Sequence, residues 1–408
     1  MASKWPHLIF LSLAELLAMS LWFSATAVVP ALMDHWDVSG GQAAWLTMSV
    51  QLGFVLGALL SALLNIPDLW SPRKVFATGA LLGALLNALI AALDTGFMVA
   101  VLLRFGTGMA LAAVYPVGMK IIATWTKQDR GLAIGMLVGA LTVGSASPHL
   151  VKALGGIGAW QPVIYAVSGL AVAGGVIGWF AGTLGPYAAP AASFHWRHMG
   201  RSLRLRPLRL ANFGYLGHMW ELYAMWTWIP LFLAASFSAS SYGKSLEQDT
   251  VTMWASIAAF AAIAAGGAGS LLAGHIADRW GRCRTTMVSM WVSGVCALSI
   301  GFCFGRSPLI VTTIALIWGF AVVADSAQFS SCVSELSDRE YMGTQLTTQT
   351  AMGFLLTLIS IRLIPGALDM AGWRWAFALL APGPAFGIWA MWRLKHSPDA
   401  VRLAGGRG

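Results

Sequence analysis

Glu15-Leu-Leu-Ala-Met-Ser-Leu-Trp22 and Glu221-Leu-Tyr-Ala-Met-Trp-Thr-Trp228 decide how this chain is read. Glu, Leu, Ala, Met and Trp recur at matching places, and each octet lies inside a long apolar run. A carboxylate at the centre of a membrane helix costs about 2.5–3.5 kcal/mol on insertion scales. Incurring that cost twice, in matching frames, implies a duplicated chain with a polar path through its middle.

Composition agrees. Of the 408 residues 58% are hydrophobic and only 10% charged, with a mean hydropathy of +0.71. Soluble domains carry about 25% charged residues. Many apolar runs reach the roughly 20 residues that a helix needs to cross the hydrocarbon core. A β-barrel would show short alternating segments instead. The expected fold class is therefore an all-α polytopic membrane protein. The four cysteines (Cys283, Cys296, Cys303, Cys332) form no CxxC pair, which weakens both disulfide and zinc readings. The first apolar run follows Lys4 and ends in small residues at 24–27, in the outline of a signal peptide. Glu15, Trp22 and the repeat near residue 221 make it a retained first span.

Twelve spans are expected, at about 8–32, 43–64, 75–93, 97–122, 131–153, 160–184, 210–236, 250–273, 285–304, 308–331, 342–367 and 373–394. Of the 25 Lys and Arg, nineteen fall in segments on the side of the N-terminus and four on the other (Lys152, Lys244, Arg306, Arg374). Arg104 and Arg362 stay within spans. The positive-inside rule then puts both termini in the cytoplasm, in a plasma (inner) membrane. The net charge of +9 thus reads as topology rather than nucleic-acid binding.

The chain divides into a six-helix half at 1–184, a basic cytoplasmic linker at 185–209 and a second six-helix half at 210–408. The linker carries Pro186, Pro190, Arg197, Arg201, Arg204, Arg206 and Arg209, suited to lying along an anionic leaflet. Glu15 registers with Glu221, Asp68 with Asp278, Asp129-Arg130 with Asp338-Arg339, and Trp160 with Trp373. The offsets run only from 206 to 213, as pseudo-symmetric parallel halves require.

Between the eighth and ninth spans stands Gly274-His-Ile-Ala-Asp278-Arg279-Trp-Gly281-Arg282-Cys-Arg284. It resembles the Gly-x-x-x-Asp-Arg-x-Gly-Arg-Arg/Lys loop of the major facilitator superfamily. With twelve spans in two halves, the resemblance covers the whole chain. The first-half copy, Asn65-Ile-Pro-Asp68-Leu-Trp-Ser-Pro-Arg73-Lys74, keeps the Asp and the basic tail but lacks both glycines and the Arg after the Asp. The resemblance implies gating by Asp68, Arg73, Asp129, Arg130, Gly274, Asp278, Arg279, Gly281, Arg282, Asp338 and Arg339, with topology-setting charge as the alternative.

Arg104 opens Arg-Phe-Gly-Thr-Gly-Met-Ala-Leu-Ala-Ala-Val-Tyr115-Pro, which resembles the superfamily's fourth-span motif. There an Arg takes part in proton or substrate coupling or holds a permanent structural pair. The fifth span, with Gly135, Gly139, Gly144, Pro148 and His149, is similar to the antiporter motif but lacks its Gly-Pro pair; close packing of small residues is the alternative. His218 and Glu221 share one helix face and suit proton relay or a structural hydrogen bond. Trp22 and Trp226 could stack on an organic solute. By resemblance, spans 1, 4, 7 and 10 line a central cavity, to which Glu15, Arg104, Glu221 and Asp325 would each bring an ionisable group.

The resemblance implies a secondary active transporter working by alternating access, H⁺-coupled, with a small organic or inorganic anion as substrate. A proton-driven drug or metabolite exporter is the alternative within the class, and a membrane-embedded enzyme or channel outside it. HExxH, GxSxG and Walker loops are missing from the sequence. The expected partners are a small-molecule substrate, a coupling proton and the lipid bilayer. No cofactor, metal or nucleic acid is expected, and the monomer is the expected working unit.

Overall fold

In hydrocarbon no water satisfies backbone N–H and C=O groups, so long apolar runs close their hydrogen bonds internally as helices. A computed structural model describes residues 4–64, 66–94, 96–126, 130–155, 159–188, 198–338 and 341–408. Among these there are helices and no strands. Eleven helical segments are long and apolar enough to cross a membrane. They are Gly40–Leu63 (span 2), Pro72–Leu93 (span 3), Phe97–Trp125 (span 4), Leu132–Gly155 (span 5) and Gln161–Ala181 (span 6), then Arg206–Ala239 (span 7) and Gln248–Trp280 (span 8). Arg282–Cys303 (span 9), Pro308–Leu336 (span 10), Met342–Ala371 (span 11) and Trp373–Lys395 (span 12) complete the set.

Span 1 is the twelfth crossing, and it is broken. It runs as Lys4–Met19, Ser24–Ala27 and Val29–Trp36, none long enough alone. Pro30 explains the second break, because it opens the third piece and constrains the residue before it. The first break, at Ser20–Phe23, contains neither Gly nor Pro. Spans 4 and 10 break at corresponding places, between Leu111 and Tyr115 and at Asp325. Pro116 accounts for the break in span 4.

Several boundaries differ from the sequence expectation, and two of them reshape the loops. The Gly274–Arg284 segment is not a loop: helix continues to Trp280 and resumes at Arg282, so Gly281 alone turns the chain. Its φ of +97° is open to glycine and strained for other residues. Span 7 begins at Arg206 rather than 210. The start of the linker is fastened to the end of span 4, where Thr124 takes the N–H of Gly185 on its hydroxyl (2.7 Å) and that of Tyr187 on its carbonyl (3.0 Å). Pro190 and Arg197 lie outside the described residues.

Spans before and after the linker meet along two helix pairs. Span 5 lies against span 8, where a Cβ added to Gly139 would stand 3.3 Å from the Gly267 carbonyl oxygen. Small residues permit this approach, the close-packing alternative for the fifth span. Span 2 meets span 11, where Thr357 donates to Gln51 Oε1 at 2.6 Å.

Candidate transport pathway

Between these two pairs six aromatic rings form a layer across the middle. Trp22, Phe23, Phe54, Tyr223, Trp226 and Phe354 approach one another with centroids 4.9–6.3 Å apart. On the side of this layer nearer the termini lies a cavity of about 710 Å³ of atom-free space, part of it open to solvent. Its walls come from spans 1, 2, 4, 5, 7, 10 and 11. The polar lining is Tyr115, Thr142, Tyr215, Tyr223, Ser326, Ser330 and Thr350, and no charged side chain is among the lining residues described. Trp22 and Trp226 also line it, and each has a buried indole N–H with no hydrogen-bond partner.

Of the pathway residues expected from sequence, the cavity therefore takes Trp22, Tyr115 and Trp226. The charged groups and His218 are elsewhere. Span 7 explains the difference: Tyr215, Met219, Leu222, Tyr223 and Trp226 face the cavity, which turns His218 and Glu221 into the second-half bundle. Glu221 accepts from Ser293 Oγ at 2.8 Å and from Trp318 Nε1 at 2.6 Å. His218 does not join Glu221. Its Nδ1 stands 2.8 Å from Asp325 Oδ1, in ion-pair range but off the line of a well-formed hydrogen bond, and its Nε2 has no partner. Asp325 is sited by the break in span 10, next to the cavity-lining Ser326. Glu15 is fully buried, with neither oxygen hydrogen-bonded, and lies against the backbone of Gly118 on span 4.

Arg104 takes the structural alternative in its geometry. The guanidinium, fully buried, donates to the carbonyls of Leu46 (3.0 Å), Leu21 (2.8 Å) and Trp22 (2.5 Å) and to Ser24 Oγ (2.9 Å). The first break of span 1 takes the Leu21 and Trp22 carbonyls out of the regular helix ladder, Leu21 also accepting from Ser24, and the planar five-donor fork of Arg is suited to gathering them. Asn87 extends the network to Ser24 and Ser168. Arg362, the other arginine within a span, has its guanidinium against Gly41 at the end far from the termini.

In the loop motif, Arg282 grips Glu335 of span 10 with Nε and Nη2 at 2.7–3.0 Å and reaches Gln328 at 2.8 Å. Asp278 is a weaker partner, 3.5 Å from the same guanidinium one turn away. Gly274 is buried and Arg279 exposed. Residues 398–408 fold over this corner: Ala404 N donates to Glu335, Arg407 to the Asp278 carbonyl, and Leu403 is fully buried. Asp338 pairs with Arg201 at 3.2 Å on the surface. Arg73 lies over the Trp179 ring. Asp129 and Arg339, with the side chains of Asp68 and Arg130, lie outside the described residues.

Sequence reasoning passed over Phe54, Thr142, Ser330, Thr350 and Phe354 in the cavity, and Glu335 at the loop. Nothing marks the five cavity residues in one sequence, since neutral residues in apolar helices carry no sign of which way they face. Glu335 is charged but lies far along the chain from Arg282, and only the fold brings the two together.

Twelve helical crossings around a central cavity, without a soluble domain among the described residues, define a polytopic membrane transporter. The Major Facilitator Superfamily model matches residues 11–361 and 213–408, and the chain belongs to that family. It is a transporter of a small molecule, not an enzyme. A curated relative, the probable L-galactonate transporter of Escherichia coli (strain K12), is 24% identical over 74% of this chain and 72% of its own. The lincomycin resistance protein of Streptomyces lincolnensis is 30% identical over 35% of this chain, a match spanning 29% of that protein. The crystal structure of a point mutant of the nucleoside transporter NupG superposes with a TM-score of 0.71 at 17% identity, over 95% of this chain and 99% of that one.

Proposed function

We propose that this transporter carries a small hydroxylated organic solute, a sugar acid being the first candidate, by alternating access. The observation that carries the reading is the pair of unpartnered indole N–H groups of Trp22 and Trp226 at a cavity lined with hydroxyls. A buried donor without an acceptor costs about 1–3 kcal/mol, and a solute oxygen placed between the two rings removes that cost. Aromatic faces around it suit the C–H faces of a sugar or another ring. The carboxylate of the substrate named for the Escherichia coli relative fits the anion expected from sequence. An exporter of larger drugs has only the shorter relative in its favour.

The proposed cycle rocks the spans before the linker against those after it, about the glycine-lined contact of spans 5 and 8. The aromatic layer is the thin barrier on the far side of the bound solute. Coupling to protons is assigned to His218 and Asp325, because the pair is buried yet adjoins the cavity through Ser326. The bias of basic residues supports cytoplasmic termini, and the monomer is taken as the working unit.

The test is uptake into proteoliposomes of labelled L-galactonate, D-gluconate and uridine with and without an inward proton gradient. Saturable, gradient-enhanced accumulation of a sugar acid is expected. Saturable uptake of uridine alone would overturn the sugar-acid assignment, and uptake indifferent to the gradient would remove the coupling.

A further inference from the structure

We propose that a second binding site, selective for a hydroxylated carboxylate, lies in the cleft one helical turn beyond the aromatic layer, on the side away from the termini. The cleft is formed by spans 1, 2, 5, 7 and 8 and holds about 580 Å³ of atom-free space including its mouth. As a loading station it rests on the transport reading above; as a binding site it stands on its own geometry.

His149 and Lys152 both line the cleft, and their spacing of three places them on one face of span 5. His149 is 1% exposed, yet its Nε2 has no hydrogen-bond partner. Lys152 has no carboxylate within ion-pair distance among the described residues, and no acidic side chain lines the cleft. A half-buried ammonium beside an unpartnered imidazole nitrogen is a place for an anion.

The hydroxyls that spans 7 and 8 bring to the same cleft select what the anion carries. Thr227 donates to the Tyr223 carbonyl (2.6 Å), Thr252 to that of Gln248 (2.9 Å) and Ser256 to that of Thr252 (2.8 Å). With their protons committed, these oxygens offer the cleft lone pairs. The lining thus brings together an ammonium, an unpartnered imidazole nitrogen and hydroxyl oxygens, among them the Thr26–Thr47 pair at 2.7 Å. A carboxylate bearing hydroxyl groups satisfies the cation and the hydroxyl oxygens; chloride or acetate satisfies only the cation. Recognition of the anion then falls to Lys152 rather than to Arg104, whose donors are taken by backbone carbonyls.

Isothermal titration of the purified full chain in detergent with D-gluconate, with sorbitol as the uncharged probe, tests the site. Gluconate is expected to bind at least about tenfold more tightly than sorbitol or acetate. Lys152→Gln is expected to weaken one of two gluconate-binding steps at least about tenfold and to leave the central-cavity step in place, whereas Lys152→Arg keeps both within a few-fold. Because Lys152 also sits in the last helical turn of span 5, where a cation supports the helix end, melting temperatures of both variants separate folding from binding. Failure of wild-type protein to bind gluconate at millimolar concentration, or a Lys152→Gln titration in which every binding step is unchanged, overturns the proposal. Binding that depends on Lys152 without any accumulation in proteoliposomes instead overturns the transport reading and leaves the site standing.

Discussion

Nδ1 of His218 stands 2.8 Å from Oδ1 of Asp325, while Glu221, one turn along the same helix, is held by Ser293 and Trp318. Two carboxyls that look interchangeable in an apolar sequence therefore sit in different chemical company. One faces an imidazole, whose ring nitrogens can each carry or accept a proton. The other accepts two hydrogen bonds, from a hydroxyl and an indole N–H.

That contrast separates two variants. Asp325→Asn is expected to cut gradient-driven accumulation at least about tenfold while solute exchange across the same liposomes continues. Glu221→Gln keeps an amide oxygen for the Trp318 indole and is expected to change accumulation far less. Undiminished accumulation by Asp325→Asn would remove the pair from coupling.

Arg104 is expected to behave as a structural residue. Arg104→Lys puts one ammonium where several carbonyls must be reached and leaves buried acceptors unpaired, at about 1–3 kcal/mol each. The expected result is a marked fall in melting temperature and in monodisperse yield on size exclusion. A variant of full stability that loses only solute binding would return Arg104 to the substrate.

Trp226→Phe deletes an indole N–H and keeps most of the ring. Stability is expected to fall by about 1–3 kcal/mol, because the smaller ring leaves unfilled space at a fully buried position. Affinity in the central cavity is expected to fall about tenfold if a solute oxygen meets that donor, since a lost partner of this kind costs about 1–2 kcal/mol. Equilibrium binding with the outer site disabled by Lys152→Gln reads the difference.

Gly139→Leu places a branched side chain where span 8 backbone lies 3.3 Å from the added Cβ. Spans 5 and 8 must part, and transport is expected to be lost even in protein that still elutes as a single species. Normal transport rates in this variant would show that the contact is not the pivot.

The Glu15 and Glu221 octets, the matched acidic landmarks and the charge bias carried the class and the crossing number, because hydrophobicity and charge are written residue by residue. The loop motif was legible as well, though its tightness was not: a single Gly281 separates the two helices. The site was legible only in its aromatic part. Charged residues drew attention as cavity groups, yet rotation of span 7 by its packing turned His218 and Glu221 away from the cavity. The partner of Arg104 was hidden for a different reason. The bend at Ser20–Phe23 has no Gly or Pro to announce it, and tertiary contacts hold it open.

That bend has no counterpart in span 7, which runs as one helix from Arg206 to Ala239 with Pro230 inside it. The two repeats share a layout but differ in backbone continuity. The first presents the Leu21 and Trp22 carbonyls to the Arg104 guanidinium beside a cavity-lining indole, whereas the second carries Trp226 on unbroken helix.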